Sequence, residues 1–177
     1  MTRELLFDKD RLENLLDLFL AEIEKRGVRG TVFLVGGATL SLYYFDRDST
    51  RDIDAGFPVD PVISEVILEI ALREKLPVNW INNEAAMYFG FPPSRYWITK
   101  RIIGEVTLKV ASPELMLAMK IKASRGRRDN EDVIELLRIL ALSSIEEVLT
   151  IYENVYAQEE LNSETMELIT QFIANQP

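Results

Sequence analysis

The sequence predicts an α/β protein, α+β in some schemes, built on a small mixed sheet. Two observations lead to this class. The apolar, β-branched run from Thr31 to Val35 is typical of a buried strand. Apolar side chains recur at helical spacing between Asp8 and Lys25, and further strand-like and helix-like stretches follow along the chain. We expect helices on one face of the sheet, a site on its open face, and a C-terminal helical bundle that closes over that site.

The first half of the chain is expected to hold five elements. Asp60 and Pro61 begin the last of them, because Asp is a preferred N-cap residue and Pro suits the first position of a helix. The five are a helix over Asp8–Lys25, a strand over Thr31–Val35, a helix over Ala38–Phe45, a strand over Arg51–Phe57 and a helix from Asp60 to about Lys75.

The second half is expected to hold a hairpin and four helices. Ser144 and Glu147 form a capping box at the start of one helix. The elements are strands over Arg95–Ile103 and Glu105–Val110 around Gly104, and helices over about Ser112–Ser124, Asp129–Leu142, Ser144–Tyr156 and Ser163–Ala174. We divide the chain into a core, residues 1–128, and an acidic helical extension, residues 129–177, packed on that core.

Composition excludes several classes of protein and of site. A chain of 177 residues with 47% apolar residues suits one soluble domain. No apolar run approaches the roughly 20 residues of a membrane span, and the N-terminus lacks a signal-peptide core, so we expect a cytoplasmic protein and no membrane partner. The absence of His and Cys excludes imidazole bases, thiolate sites and most zinc sites.

Charge is distributed unevenly along the chain. From Asp129 onward there are eleven acidic residues and one basic residue, a net charge of −10, whereas residues 1–128 carry +1. The acidic helices could contact a cognate protein partner. A basic island precedes them; it is either the cationic end of a helix or a grip on triphosphate or RNA. Its members are Lys120, Lys122, Arg125, Arg127 and Arg128.

Two short motifs predict a nucleotide site. Gly36 and Gly37 follow the first strand, where a backbone without Cβ can turn sharply and approach a ligand. Asp52 and Asp54 lie fifteen and seventeen residues after Gly37, on one face of the next strand, with Ile53 pointing into the core. Two adjacent carboxylates repel each other unless a cation lies between them. We therefore expect Mg²⁺ or Mn²⁺ here, with a nucleoside triphosphate as the substrate.

The stretches around these motifs resemble the nucleotidyltransferase superfamily that includes DNA polymerase beta and the minimal nucleotidyltransferases. A closer similarity is to a prokaryotic family of that superfamily related to abortive-infection and toxin–antitoxin nucleotidyltransferases. It extends over about residues 10 to 140. Besides the two motifs it includes Leu76–Asn83, Val110–Lys120 and Ala123–Val133.

The resemblance implies a role for each motif residue. Asp52 and Asp54 would be the catalytic carboxylates and bind the metal ions. Gly36, Gly37 and Thr39 would cradle the triphosphate. Lys120 would steady the triphosphate or the leaving pyrophosphate, while Asp129 and Asp132 would orient basic residues, although helix capping explains Asp129 equally well.

The chain departs from the resemblance at the third carboxylate that active members carry on a neighbouring strand. Glu105 is the best candidate for a third metal ligand, and a solvated residue at a strand start is the alternative. Asn83 stands where relatives often have an acid, and Glu84 is next to it.

Two functions follow. The first is a metal-dependent nucleotidyltransferase that moves a nucleoside monophosphate from an NTP to an RNA or tRNA end or to a protein, as part of a toxin–antitoxin or phage-defence system. The alternative is an inactive nucleotidyltransferase-fold module that regulates a partner or senses a nucleotide, which the uncertain third carboxylate favours.

Overall fold

The computed structural model describes residues 6–45, 50–123 and 127–175. The chain forms two compact units, Met1–Ala86 with Ile98–Val110, and Met87–Trp97 with Ala111–Pro177. In chain order the helices and strands are α1 (Lys9–Lys25), β1 (Gly30–Leu34), α2 (Gly36–Thr39, followed by a π-helical turn over Leu40–Tyr44), β2 (Ile53–Gly56), α3 (Pro61–Glu74), β3 (Ile81–Asn82), β4 (Trp97–Ile103), β5 (Val106–Ala111), α4 (Pro113–Ala123), α5 (Arg127–Ile139), α6 (Ile145–Val155) and α7 (Ser163–Ala174).

The five strands form one mixed sheet in the order β3-β2-β1-β5-β4. β1 pairs with β2 in the antiparallel direction and with β5 in the parallel direction, and β2 is parallel to β3. Short 3₁₀ turns over Glu84–Tyr88 and Ser94–Tyr96 occupy most of the stretch between β3 and β4. The predicted α/β class with a small mixed sheet is confirmed.

The two faces of the sheet differ in burial because side chains alternate along each strand. Val32 and Leu34 of β1 and Leu108 of β5 are fully buried, on the face that joins the hydrophobic core. Phe33 of β1 and its register partner Lys109 of β5 point to the other face and are half-buried. Polar chemistry on the sheet is therefore confined to the face that carries Phe33.

The helices α1 and α3 bury apolar stripes in the same core as the inner face of the sheet. Both begin at aspartate caps. Asp60, the cap that the sequence predicts, accepts a hydrogen bond from the Val62 N–H at 2.9 Å, and Asp8 accepts one from the Arg11 N–H at 2.8 Å. Trp80 completes this core. Its ring is fully buried, and its Nε1–H donates to the Ile67 carbonyl at 3.1 Å.

The second unit is mainly helical. It contains the helices α4 to α7. The predicted capping box of Ser144 and Glu147 is present at the start of α6. Both α4 and α5 belong to this unit. The division of the chain into a core, residues 1–128, and an extension, residues 129–177, stays a prediction. The expectation that the C-terminal helices close over the site stays a prediction.

Within the described ranges, none of the helices has the length and the apolar character that crossing a membrane requires.

Candidate functional site

The turn after β1 places the first glycine beside the second strand. Gly36 has φ of +68°, a left-handed backbone conformation that favours glycine. The helix that follows begins at Gly36 itself rather than at Ala38, where the sequence analysis starts it. The Val35 N–H donates to the Asp54 carbonyl at 3.0 Å, which extends the antiparallel pairing of β1 with β2 up to the turn. The two sequence motifs are therefore neighbours in the sheet.

The side chain of Asp54 lies directly against Gly36. A Cβ added at Gly36 would lie 2.9 Å from both Cβ and Cγ of Asp54, and nearer still to its Oδ2. Only glycine fits at this position without moving the carboxylate. Asp54 is half-buried, on the polar face of the sheet, so the bare backbone of the turn and a carboxylate share one small region.

At Gly37 the absence of a side chain serves a different neighbour, Thr50. A Cβ added there would lie 2.7 Å from the Thr50 Oγ1, and Thr50 is only 4% exposed. Thr50 is fixed by two backbone hydrogen bonds with Phe7, at 2.7 and 3.1 Å. The missing side chain of Gly37 thus makes room for a buried threonine, a role that the sequence does not reveal because the two residues are far apart along the chain.

Asp52 lies in the bend just before β2 and is half-buried. Its carbonyl accepts a hydrogen bond from the Thr50 Oγ1 at 3.3 Å. Ile53, between the two acids, is fully buried in the core as predicted. The strand itself begins at Ile53. The pleat of β2 therefore determines the direction of the Asp54 side chain, whereas the bend before the strand determines that of Asp52.

The strand next to Asp54 places an amide, not a third carboxylate, at the register position opposite it. Its register partner on β3 is Asn82, whose Oδ1 accepts a hydrogen bond from the Glu84 N–H at 3.0 Å. Among the residues that the structure describes, no group of three or more His, Cys, Asp or Glu side chains is placed to hold a metal ion. Within the described residues, the carboxylates of Asp52 and Asp54 and the Asn82 amide are oxygen donors on or beside β2.

Glu105 lies at the opposite end of the sheet from Asp54. β5 runs parallel to β1 with Val106 beside Gly30, and the Glu105 carbonyl accepts the Gly30 N–H at 3.0 Å. The five residue steps from Gly30 to Val35 span about 16 Å in a strand. The Glu105 side chain pairs with Arg29 at 2.6 Å and is 63% exposed. Glu105 is therefore the solvated strand-start residue of the alternative reading, and not a neighbour of the aspartate pair.

Thr39 is not presented at the surface. Its side chain is fully buried, and its Oγ1 has no hydrogen-bond partner among the described residues; Ser41 shares both properties. The helix widens after Thr39 into a π-helical turn, in which the Phe45 N–H donates to the Leu40 carbonyl at 2.7 Å. The structure therefore does not place the Thr39 hydroxyl beside the exposed part of the glycine turn, where a phosphate could reach it.

A lysine held between two carboxylates forms a separate cluster in the second unit. Lys120 Nζ lies 2.8 Å from Asp129 Oδ1 and 2.9 Å from Asp132 Oδ2. Asp132 is 2% exposed and Lys120 is 17% exposed, so the ammonium is fixed by charge in a largely desolvated place. Asp129 and Asp132 thus both contact one basic residue, and the orienting role that the resemblance implies for them stays a prediction.

The rest of the basic island is only partly described. Lys122 pairs with Glu159 and lies over the Tyr156 ring, with Nζ 5.7 Å from its centroid. Arg125 lies outside the described residues, as do the side chains of Arg127 and Arg128. For Lys122, an ion pair within the second unit thus accounts for the side chain.

Comparison with known families settles the relationship of the chain. A family model described as "Nucleotidyltransferase of unknown function (DUF6036)" matches residues 10–174. The chain belongs to this nucleotidyltransferase family. Neither the curated proteins nor the solved structures contain a match. The family match extends from α1 to the end of α7. The matched region of this nucleotidyltransferase therefore contains both the Gly36–Asp54 contact and the Lys120 cluster.

Proposed function

We propose that this nucleotidyltransferase transfers a nucleoside monophosphate from an NTP to an acceptor hydroxyl, with Mg²⁺ or Mn²⁺ held by Asp52 and Asp54. The contact between Asp54 and Gly36 carries this proposal. A phosphate that approaches the bare backbone of the turn would come beside a carboxylate, and two anionic groups in one region require a cation between them. The catalytic role of Asp52 and the cradling role of Gly37 are part of the proposal.

The oxygen donors of this chain fit a hard divalent ion. Mg²⁺ usually takes one or two carboxylates from a protein and completes its octahedral shell with water and substrate phosphates. Asp52 and Asp54 meet that requirement without a third acid, and Asn82 adds an amide beside Asp54. When bound, the ion would neutralise phosphate charge and polarise the phosphoryl group that is attacked. Glu105, paired with Arg29, takes no part.

The polar face of the sheet also offers a cation. Lys109 of β5 is the register partner of Phe33, and Phe33 is the register partner of Gly56 on β2. Because opposed side chains in a sheet point to the same face, Lys109 and Asp54 share one face, with two strand spacings, about 10 Å, between their strands. An ammonium on the same face suits the outer phosphates of a nucleotide whose metal is bound at Asp54. The sequence analysis did not single out Lys109.

The transfer itself requires few protein groups. The acceptor oxygen forms a bond to the α-phosphorus while the bond from that phosphorus to the pyrophosphate oxygen breaks, and the acceptor proton leaves to a carboxylate or to water. Binding of the triphosphate or pyrophosphate by Lys120 rests on the resemblance alone, since the ammonium is ion-paired with Asp129 and Asp132. RNA ends and protein hydroxyls are the two proposed acceptor classes.

Label transfer tests the proposal directly. The purified protein is incubated with each α-³²P-labelled NTP, with Mg²⁺ or Mn²⁺, and with either total tRNA or a protein extract. We expect label on one acceptor class with the parent and with Glu105→Gln, and none with Asp54→Asn. Label transfer that persists undiminished in Asp54→Asn would refute the assignment of the site.

A regulatory module that binds a nucleotide without transferring it is the second candidate. The residues on the strands beside Asp54 favour it. They are Asn82 on β3 and Val35 at the end of β1, and neither carries the third carboxylate that active relatives have on a neighbouring strand. In that case NTP and metal ion would still raise the melting temperature of the parent and not of Asp54→Asn, while no label would reach any acceptor.

The cellular setting in toxin–antitoxin or phage defence rests on the resemblance alone. If the protein is a toxin of this kind, its induced expression should arrest growth, and expression of Asp54→Asn at the same level should not. Equal growth of the two strains would argue against the toxin role. It would not bear on the transfer reaction, which the α-³²P labelling experiment tests separately.

A further inference from the structure

The acidic helices α5 and α7 enclose a groove that the proposed reaction does not use. Its volume is about 740 Å³, and Ile134, Leu168 and Phe172 provide apolar side chains along it, with Arg138 and Gln171 at its polar positions. We call this the α5–α7 groove. We infer that it binds an amphipathic helix of a partner protein, with an apolar face toward the groove and basic residues on its flanks.

The walls of the groove favour a helix over an extended peptide. Lining residues are spaced three or four apart on both walls, at Ile134 and Arg138 on α5 and at Leu168, Gln171 and Phe172 on α7. Ridges with this spacing accept the i, i+3 and i+4 side chains of another helix. An added strand would need unpaired backbone N–H and C=O groups, and the interiors of α5 and α7 have theirs in helical hydrogen bonds.

The charge around the groove selects a basic partner. Residues 129–177 carry a net charge of −10, and Arg138 is their single base. Glu131 and Glu135 lie on α5, and Glu164 and Glu167 lie on α7, so both helices that form the groove carry carboxylates. Nucleic acid and anionic lipid are repelled by such a field, whereas Lys or Arg on a protein helix is attracted to it.

Arg138 covers part of the apolar surface in the free protein. Its guanidinium carbon lies 5.4 Å from the centroid of the Phe172 ring, and the group pairs with Glu135 at 2.9 Å. Both partners of this ion pair are about half exposed, at 60% and 45%. Exposed pairs of this kind add little stability, so an entering side chain can displace Arg138 from Phe172 at small cost.

Two model peptides test the inference. Both are Lys-rich amphipathic helices of about five turns with equal charge, and one has Leu along its apolar face where the other has Ala. Fluorescence anisotropy should show that the Leu peptide binds the parent at least about tenfold more tightly than the Ala peptide. Equal binding of the two would mean attraction by charge alone and would overturn the inference.

Substitutions then locate the binding surface. Leu168→Ala with Phe172→Ala should weaken binding of the Leu peptide about tenfold or more and leave the Ala peptide unchanged. Gln171→Trp, at an exposed position, should block the groove without removing any packing, which keeps the test valid if the double variant is poorly folded. Leu68→Ala with Leu72→Ala on α3 is the matched control, since these leucines are 49% and 81% exposed but lie outside the groove.

Three results would count against a basic partner helix. They are unchanged binding in Gln171→Trp, an equal loss in the α3 control, and self-association of the parent that Gln171→Trp abolishes in sedimentation. The last result would mean that a second copy of this chain occupies the groove.

Discussion

The Asp54 carboxylate rests against the Cα of Gly36, so the acid of one motif occupies the volume that a side chain in the other motif would need. The two residues are eighteen positions apart in the sequence. They meet because β1 and β2 pair in the antiparallel direction, with Leu34 opposite Ala55. This contact gives the glycine motif a structural requirement that is independent of any bound phosphate.

Gly36→Ala should therefore be destabilising for two reasons. The left-handed backbone costs a non-glycine residue about 1–2 kcal/mol, and the collision with Asp54 adds to it. Gly27→Ala is the matched control, because Gly27 has φ of +81° with nothing within 4 Å of an added Cβ. Urea unfolding should show a loss for Gly36→Ala that exceeds the loss for Gly27→Ala by at least about 1 kcal/mol. Equal losses would show that Asp54 moves aside freely.

Asp54→Asn should remove the response to metal and nucleotide while the fold persists. The change keeps the shape of a half-buried side chain and removes its charge. In the parent, Mn²⁺ and NTP together should raise the melting temperature, because a ligand that binds only the folded state stabilises it. Glu105→Gln, at the far end of the sheet, should keep the full rise. A rise of the same size in Asp54→Asn would exclude this carboxylate from the metal site.

Gly37→Ala isolates the contact with Thr50. The backbone at Gly37 permits alanine, which is the better helix former by about 1 kcal/mol, so any loss of stability must come from packing. We expect a net loss of about 1–3 kcal/mol in the parent and in a Thr50→Ser background, both of which keep the Oγ. In a Thr50→Ala background the nearest Thr50 atom left is its Cβ at 3.4 Å, and the loss should shrink to less than half. Denaturant midpoints of the six proteins, the three backgrounds with and without Gly37→Ala, decide the outcome.

Lys120→Met should cost far more stability than Lys122→Met on the same helix. Without Lys120, the carboxylate of Asp132, 2% exposed, loses a charge partner in a desolvated place, a change that typically costs about 3–5 kcal/mol. Lys122 pairs with Glu159 where both side chains are over a third exposed, at 37% and 43%, so its loss should cost less than about 1 kcal/mol. Adding Asp132→Asn to Lys120→Met should restore part of the stability. Similar costs for the two lysines would contradict the burial argument.

Glu147 should make the stability of the protein depend on pH. Hydrogen bonds from the Ser143 and Ser144 backbone N–H groups hold the pKa of the Glu147 carboxylate below its ordinary value. A carboxylate with a lowered pKa contributes stability that is complete above the unfolded-state pKa, about 4.3, and is lost as pH falls through the folded-state pKa. Glu147→Gln should melt below the parent at pH 7, and the difference should close on acidification. A gap that stays constant down to pH 3 would refute this.

Features that depend on neighbouring residues could be predicted from the sequence. The caps at Asp8, Asp60 and Ser144 are satisfied two or three residues away, and the turn at Gly104 follows from one residue. Trp80, in a stretch with no assigned element, is a core residue because α1 and α3 surround it, which no local pattern reports.

The parts of the site that could not be predicted depend on pairing between distant segments. Glu105 is placed by the parallel register of β5 on β1, which puts the start of one strand beside the start of the other. Thr50 faces Gly37 because its backbone bonds to Phe7, and Asn82 faces Asp54 through a strand of two residues. The helix begins at Gly36 and widens into a π-helical turn after Thr39. The direction of the Thr39 side chain in such a turn differs from its direction in the regular helix that the sequence predicts from Ala38.

The two edge strands of the sheet, β3 and β4, differ in how readily they could pair with another chain and aggregate. β3 is only two residues long and offers little backbone to a passing chain, whereas β4 has seven residues and is the last strand on its side of the sheet that the described residues form. Long edge strands are templates for aggregation, and lysine or arginine on them prevents it. Lys100, stacked on Tyr43, and Arg101, paired with Asp17, provide that protection beside Ile102, which is 70% exposed. Replacing Lys100 with an apolar residue should therefore keep the fold and make concentrated solutions of the protein more prone to aggregate.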